Sequence, residues 1–284
     1  MLKKIKQLLA KIPLPMFQNP APVVAILPLE GVIGSASRFS TALNLAGIED
    51  NIKQAFEMSN VKAVALAVNS PGGSPVQSEL IMRRIQKLSE EKKIPVYAFA
   101  EDVAASGGYL ISLAADEIYA HEASIIGSIG VISAGFGFSK AIEKIGVERR
   151  VYAAGDNKSI LDPFQPEKEK DIKLLKEMQK EIHEFFKDLV KERRGDRLKG
   201  TQKVMFSGQF WAGKEAQKLG LVDGIGDLHS VMKEKLGDKT KFKRIKEEKG
   251  FIKGLLGMRS GQLKISDEIL STLESRAQWG RFGL

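Results

Sequence analysis

The chain has 284 residues, 43% hydrophobic and 28% charged, enough for one large domain or two small ones around a substantial core. It has no cysteine, which excludes disulfides, thiolate metal ligands and a cysteine nucleophile. The formal charge of +9 sits at the ends: residues 1–20 carry four lysines and no acid, and residues 230–264 carry eleven Lys/Arg against four Asp/Glu. The body between them is close to neutral and lacks the basic face with interleaved aromatics that marks a nucleic-acid binder, so no nucleic-acid partner is expected.

The N-terminal stretch "MLKKIKQLLAKIPLPMF" sets Leu2, Ile5, Leu8, Leu9 and Ile12 at helical spacing, with Lys3, Lys4, Lys6 and Lys11 between them and Pro13 as the stop. Such a basic amphipathic segment lies on an anionic membrane surface or docks on protein. Lys11 interrupts what would be the apolar centre of a secretory signal, and no apolar run reaches the roughly 18–20 residues that span a bilayer. The expectation is a cytoplasmic protein with at most peripheral contact to the inner face of the membrane, without a transmembrane helix or cleavable signal.

From Val23 onward, short β-rich runs alternate with helical ones. Strands are expected at 23–33, 62–69 ("KAVALAVN"), 95–100 ("PVYAFA") and 130–136 ("GVISAGF"). Helices are expected at 44–59, 78–93, around Ile142, and from Pro166 to about Arg194. Strands separated by helices of 10–15 residues imply βαβ units and a mostly parallel α/β sheet. In the last long helix Leu175, Met178, Ile182, Phe185 and Leu189 form a packing seam for the chain's own core or a neighbouring subunit. The chain divides into a basic segment, 1–20, a folded domain, 21–237, and a lysine- and glycine-rich extension, 238–284, expected to be loose.

Turns at the C-terminal ends of parallel strands are where α/β sheets place their chemistry. Two stand out, "NSPGGS" (69–74) after "KAVALAVN" and "AASGGY" (104–109) after "PVYAFA". Ser106 in the second is either a nucleophile or an ordinary helix N-cap. If the two strands are neighbours, the N–H groups of Gly73 and Gly107 can converge on one oxyanion. A nucleophilic serine needs a base. None of His121, His183 and His229 comes with an evident positioning acid, which leaves a lysine kept neutral by burial. Lys158, in the turn-rich "GDNKSILDPF", is one candidate among many surface lysines.

Four segments in order, "NSPGGS", "AEDVAASGGYLISLAADEIYAHEASIIGSIGV", "GDNKSILDPF" and "FSGQFWAGKEAQKLGLVDGIG", resemble the signal peptide peptidase A and SohB-like serine proteases from about Val23 to Leu228, in their single-module form. The resemblance implies a Clp/crotonase-type fold of ββα units and a Ser-Lys endopeptidase without metal or cofactor. It makes Ser106 the nucleophile, Lys158 the general base, Ser128 the residue that positions the lysine, and Gly73 and Gly107 the oxyanion donors. It also implies peptide or protein substrates, including signal-peptide remnants, and a ring- or dome-like homo-oligomer in which serine and lysine come from one chain or from two. Members that act at the membrane usually carry an N-terminal transmembrane helix, where this sequence offers the short basic amphipathic segment. Two other readings share the fold: an acyl-CoA enzyme of the crotonase type, which would need Glu101 or Asp102 as its carboxylate, and an inactive scaffold.

Overall fold

The computed structural model describes residues 20–34, 42–246 and 276–284; the basic helix expected in 1–20 and most of the C-terminal extension lie outside them. The centre of the fold is three parallel strands, β1 (Val23–Glu30), β2 (Val61–Ser70) and β3 (Val96–Ala105), paired β1 to β2 and β2 to β3. Their apolar residues run almost without interruption because both faces are covered. Leu27, Leu66 and Ala98 enter the main core, and Val24, Ala65 and Phe99 enter a second cluster on the opposite face.

The outer edge of β3 is shared. Its first half pairs with β4 (Glu117–Ala120) and its second half with β5 (Ile125–Gly127), both parallel. β6 (Phe210–Ala212) adds antiparallel to β5, the two-residue strand β7 (Gly224–Ile225) pairs with β4, and β8 (Lys241–Arg244) closes the far edge beside β1. β8 lies in the segment expected to be loose, so the sheet continues beyond residue 237. Its lysines suit an edge strand, where charge discourages further pairing.

Two crossover helices cover the core face. α1 (Leu45–Glu57) is capped by the Asn44 side chain, which accepts from the Gly47 N–H at 2.9 Å. α2 (Pro75–Lys92) has proline in its first turn and the Ser74 hydroxyl accepting from the Gln77 N–H; it ends on Lys93 in the left-handed conformation. The short α3 (Gly107–Ser112) follows β3 directly and is buried throughout. α4 (Ser139–Lys144) and the 26-residue α5 (Glu169–Arg194) follow, and α6 (Gln202–Met205), α7 (Gly213–Lys218) and α8 (Leu228–Leu236) complete the described part.

The strand expected at 130–136 is not formed: the strand that joins this side of β3 is β5, before it, and residues 131–138 have no regular structure. The expected strand 95–100 runs five residues further, to Ala105. At the other end of the chain, a helical turn at 276–280 leads Phe282 onto Val103 and Ala105 of β3, and its ring stacks edge-on against Phe210 at 5.1 Å. Among the described residues no helix is long and apolar enough to cross a membrane.

A buried ion pair ties α5 to the sheet. Arg194, 2% exposed, donates to Asp223 at 2.7 and 3.1 Å and to the Gly220 carbonyl at 2.9 Å, while Asp223 accepts from the Ile118 N–H at 2.7 Å. Burial alone raises the Asp223 carboxyl, but the bonds from Arg194 and Ile118 outweigh it and hold the group below the usual aspartate range. A carboxyl depressed in the folded state adds stability above its unfolded value of about 3.9, and that contribution disappears as pH falls through the folded value. Asp223→Asn, which strands the Arg194 charge, is expected to cost about 3 kcal/mol of unfolding free energy at pH 7. Denaturant unfolding should show the gap between wild type and variant closing below about pH 4.

Candidate active site

Ser106 is the last residue before α3 and has φ +52° and ψ −120°. A non-glycine residue at such angles costs about 1–3 kcal/mol and persists only where its surroundings fix it. Here the Ser106 N–H donates to the Gly127 carbonyl at 2.8 Å, and its own carbonyl accepts from the Leu110 N–H at 3.0 Å. The hydroxyl makes no capping bond, so the reading of Ser106 as an ordinary N-cap fails. The helix is carried by its backbone, and among the described residues the side chain makes no hydrogen bond, at a partly exposed site.

The turn of "NSPGGS" is packed onto this serine. Ile33 pins it, donating to the Gly72 carbonyl and accepting from the Ser74 N–H, both at 2.8 Å. Between those bonds Gly73 has φ +142°, and a Cβ there would overlap the Ile33 carbonyl oxygen. A Cβ on Gly72 (φ +106°) would lie 2.7 Å from the Ser106 Cβ and 2.8 Å from the Gly107 nitrogen. A Cβ on Gly107 would stand 3.3 Å from the Gly73 nitrogen. The Gly73 and Gly107 nitrogens are thus neighbours across the serine. Neither donates a hydrogen bond among the described residues, the condition a pair of oxyanion donors requires.

Ser128 reaches the same place. It follows Gly127, the partner of the Ser106 N–H; it is 5% exposed, has φ +51°, and donates its own N–H to the Gln209 carbonyl at 2.7 Å. Lys158 makes no bond to either serine. It stands, exposed, on the segment between Gly130 and Glu169, and its side chain makes no hydrogen bond or ion pair among the described residues. That segment folds mainly on itself: Phe138 stacks on Phe164 at 5.5 Å, and Arg149 pairs with Asp162 at 3.1 Å. Ile132, Phe136, Ile145 and Tyr152 face solvent, Tyr152 at 92% exposure.

The histidines are engaged elsewhere. His183 Nε2 meets the Ile129 carbonyl at 3.1 Å, His121 Nδ1 accepts from the Ala123 N–H at 3.3 Å, and the His229 ring packs on Phe242. Glu101 and Asp102, the carboxylates an acyl-CoA enzyme would need, are exposed on the edge of the β2/β3 pairing, with Asp102 accepting from Asn69. Among the described residues no group of three or more His, Asp or Glu is placed to hold a metal.

Residues 89–240 match the model of peptidase family S49. The chain belongs to that family. A signal peptide peptidase SppA of Enterococcus faecium is 33% identical over 262 residues, covering 87% of this chain and 76% of its own. A protein of Brucella abortus named as the Na+/H+ antiporter NhaA is 49% identical over 273 residues, 92% of this chain but 37% of its own. The S49 chain therefore spans little more than a third of that relative. In fold it is similar to a serine-to-alanine mutant of the membrane-bound stomatin-specific protease 1510-N, with a TM-score of 0.51 at 16% identity, over 80% of this chain and 99% of that one.

Two supporting residues of the candidate site were not singled out in the sequence. Ser70, fully buried, donates to the Gly31 carbonyl at 2.6 Å and accepts from the Gly72 N–H at 3.2 Å, which stiffens the turn from beneath. Gly72 is the residue that touches the nucleophile candidate. "NSPGGS" advertised a tight turn; which glycine faces the serine depends on the Ile33 bridge, forty residues away. Gly72→Ala must displace either Ser106 or Gly107. It is expected to slow labelling of Ser106 by a fluorophosphonate about a hundredfold while the circular dichroism of the fold is retained.

Proposed function

We propose that this protein is a serine endopeptidase in which Ser106 is the nucleophile and Lys158 of a neighbouring copy is the general base. What carries the nucleophile assignment is the uncapped hydroxyl of Ser106 beside the two unused amides of Gly73 and Gly107. Ser106 Oγ attacks the substrate carbonyl as its proton passes to a neutral lysine Nζ. The oxyanion is held by the two glycine N–H groups, and the ammonium then protonates the departing amine. Water, deprotonated by the same lysine, releases the acyl group and restores the serine. No metal or cofactor enters this sequence. The substrates are extended or unfolded peptides, signal-peptide remnants among them.

Completion by a second copy follows from the chemistry of lysine. An ammonium gives up its proton readily only when desolvated or close to another cation, and Lys158 is exposed on its own chain. The segment that bears it also exposes Ile132, Phe136, Ile145 and Tyr152, and the adjoining half of α5 exposes Met178 on the apolar seam that Leu189 buries further along. A symmetric neighbour covering these residues would bury the lysine and bring it to the next Ser106 and Ser128, in a ring of copies.

Ser106→Ala and Lys158→Ala are each expected to abolish peptide hydrolysis. Mixing the two inactive proteins under subunit exchange should restore about a quarter of wild-type turnover, because random pairing gives that share of intact sites. No recovery in a mixed oligomer would place the two residues in one chain.

For location, we propose attachment of residues 1–20 to the cytoplasmic face of an anionic membrane, at about 1 kcal/mol for each basic residue near the surface. Full-length protein should sediment with anionic vesicles at low salt, and a chain starting at Ala21 should not. Equal, negligible sedimentation of both would assign the segment to contacts within the oligomer.

A further inference from the structure

The pairing of β2 with β3 contains an irregularity directly behind the site. Val68 is opposite Ala100 and Ser70 is opposite Ala104, so a single residue of β2, Asn69, faces three of β3: Glu101, Asp102 and Val103. A surplus of this kind leaves backbone groups without ladder partners and bends the strand. The Asn69 side chain fills the gap. Its Oδ1 accepts from the Val103 N–H at 3.2 Å, its Nδ2 donates to Asp102 Oδ2 at 3.1 Å, and its own carbonyl accepts from the Gly31 N–H at 2.9 Å.

This residue stands where the two arms of the site diverge. Four residues beyond Asn69 along β2 and its turn is Gly73; three residues beyond Val103 along β3 is Ser106. A bond between Asn69 and Val103 therefore sets the advance of the serine relative to the amide that faces it. The spacing along a strand is about 3.3 Å per residue, so a slip of even part of one residue moves Ser106 out of reach of Gly73.

We infer that Asn69 is a positioning residue for the nucleophile: its carboxamide replaces a missing ladder bond and fixes the length of the β3 bulge, so that Ser106 arrives beside Gly73. Asp102 serves as the second anchor of that amide and takes no part in the chemistry. This inference rests on Ser106 being the nucleophile, and the test separates the two claims.

The full chain and its variants are titrated with a fluorophosphonate and the second-order labelling rate is measured well below each melting midpoint. Asn69→Ala is expected to label about tenfold or more slowly, as ångström-scale misplacement does. Asn69→Asp should be equally slow, because two carboxylates then face each other. The swap Asn69→Asp/Asp102→Asn exchanges donor and acceptor while keeping an oxygen for the Val103 N–H, and it should return to within about threefold of wild type. Residues that merely stabilise the fold would shift the melting midpoint and leave the labelling rate unchanged. Wild-type labelling of Asn69→Ala, or a double variant no faster than Asn69→Asp alone, overturns the inference. If Asn69→Ala does not fold, the comparison of the double variant with Asn69→Asp decides. Equal labelling of wild type and Ser106→Ala would instead overturn the nucleophile on which the inference rests.

Discussion

A serine held at φ +52° organises this molecule. No local preference puts it there, since a side chain in that region crowds its own backbone. The conformation is imposed from three directions: the Gly127 carbonyl on the Ser106 N–H, the first turn of α3 on its carbonyl, and the glycine turn of β2 pressed against its Cβ. Two of these constraints come from the strands on either side of β3, β5 and β2, and the third from the helix that β3 runs into, so the local order of the sheet makes them meet. Placing β3 between β2 and β5 brings the turn carrying Gly73 to one side of the serine and Ser128 to the other.

The six residues of α3 would not hold a helix by themselves, because a segment so short barely exceeds its nucleation cost. Burial holds them. Tyr109, fully buried, donates to the Leu221 carbonyl at 2.8 Å, and burial pushes its phenol far above the usual tyrosine range, so it remains a neutral donor. A Cβ on Gly108 would meet the Ser70 carbonyl at 2.5 Å, which is how closely the helix lies on β2. Arg193 donates to the carbonyls of Leu113 and Ala115 just beyond the helix, and Arg194 beside it is locked to Asp223. The C-terminal half of α5 thus braces the site from behind, while its N-terminal half extends toward solvent.

The central strands were legible because burial on both faces leaves a continuous apolar run, and α1 and α2 because their caps and stripes are local. β3 was read too short: Glu101 and Asp102 interrupt its apolar run, and the strand continues past them through contacts distant in sequence, the pairing of Val103–Ala105 with β5 and the bond from the Val103 N–H to the Asn69 amide. β8 was missed because alternating lysines at a sheet edge look the same in sequence as a solvated tail. The strand expected at 130–136 failed for the opposite reason. Ile132 and Phe136 carry the apolar signal of burial, yet among the described residues they remain exposed. Ser106, Gly73 and Gly107 were placed by motif and turn logic, with Ser128 added by family resemblance, and the structure brings all four together. Lys158 stays exposed and makes no bond to any of them among the described residues.

The exposed segment that carries Lys158 has a kinetic consequence. Under the proposed arrangement an isolated protomer holds a shaped nucleophile and an oxyanion pocket but no base, so it is inert without any inhibitor or pro-segment. Activity then has a concentration threshold: dilution silences the enzyme, and local crowding, such as recruitment to a membrane patch, switches it on. A peptidase built this way is harmless as newly made single chains, and its proteolysis is confined to places where copies gather.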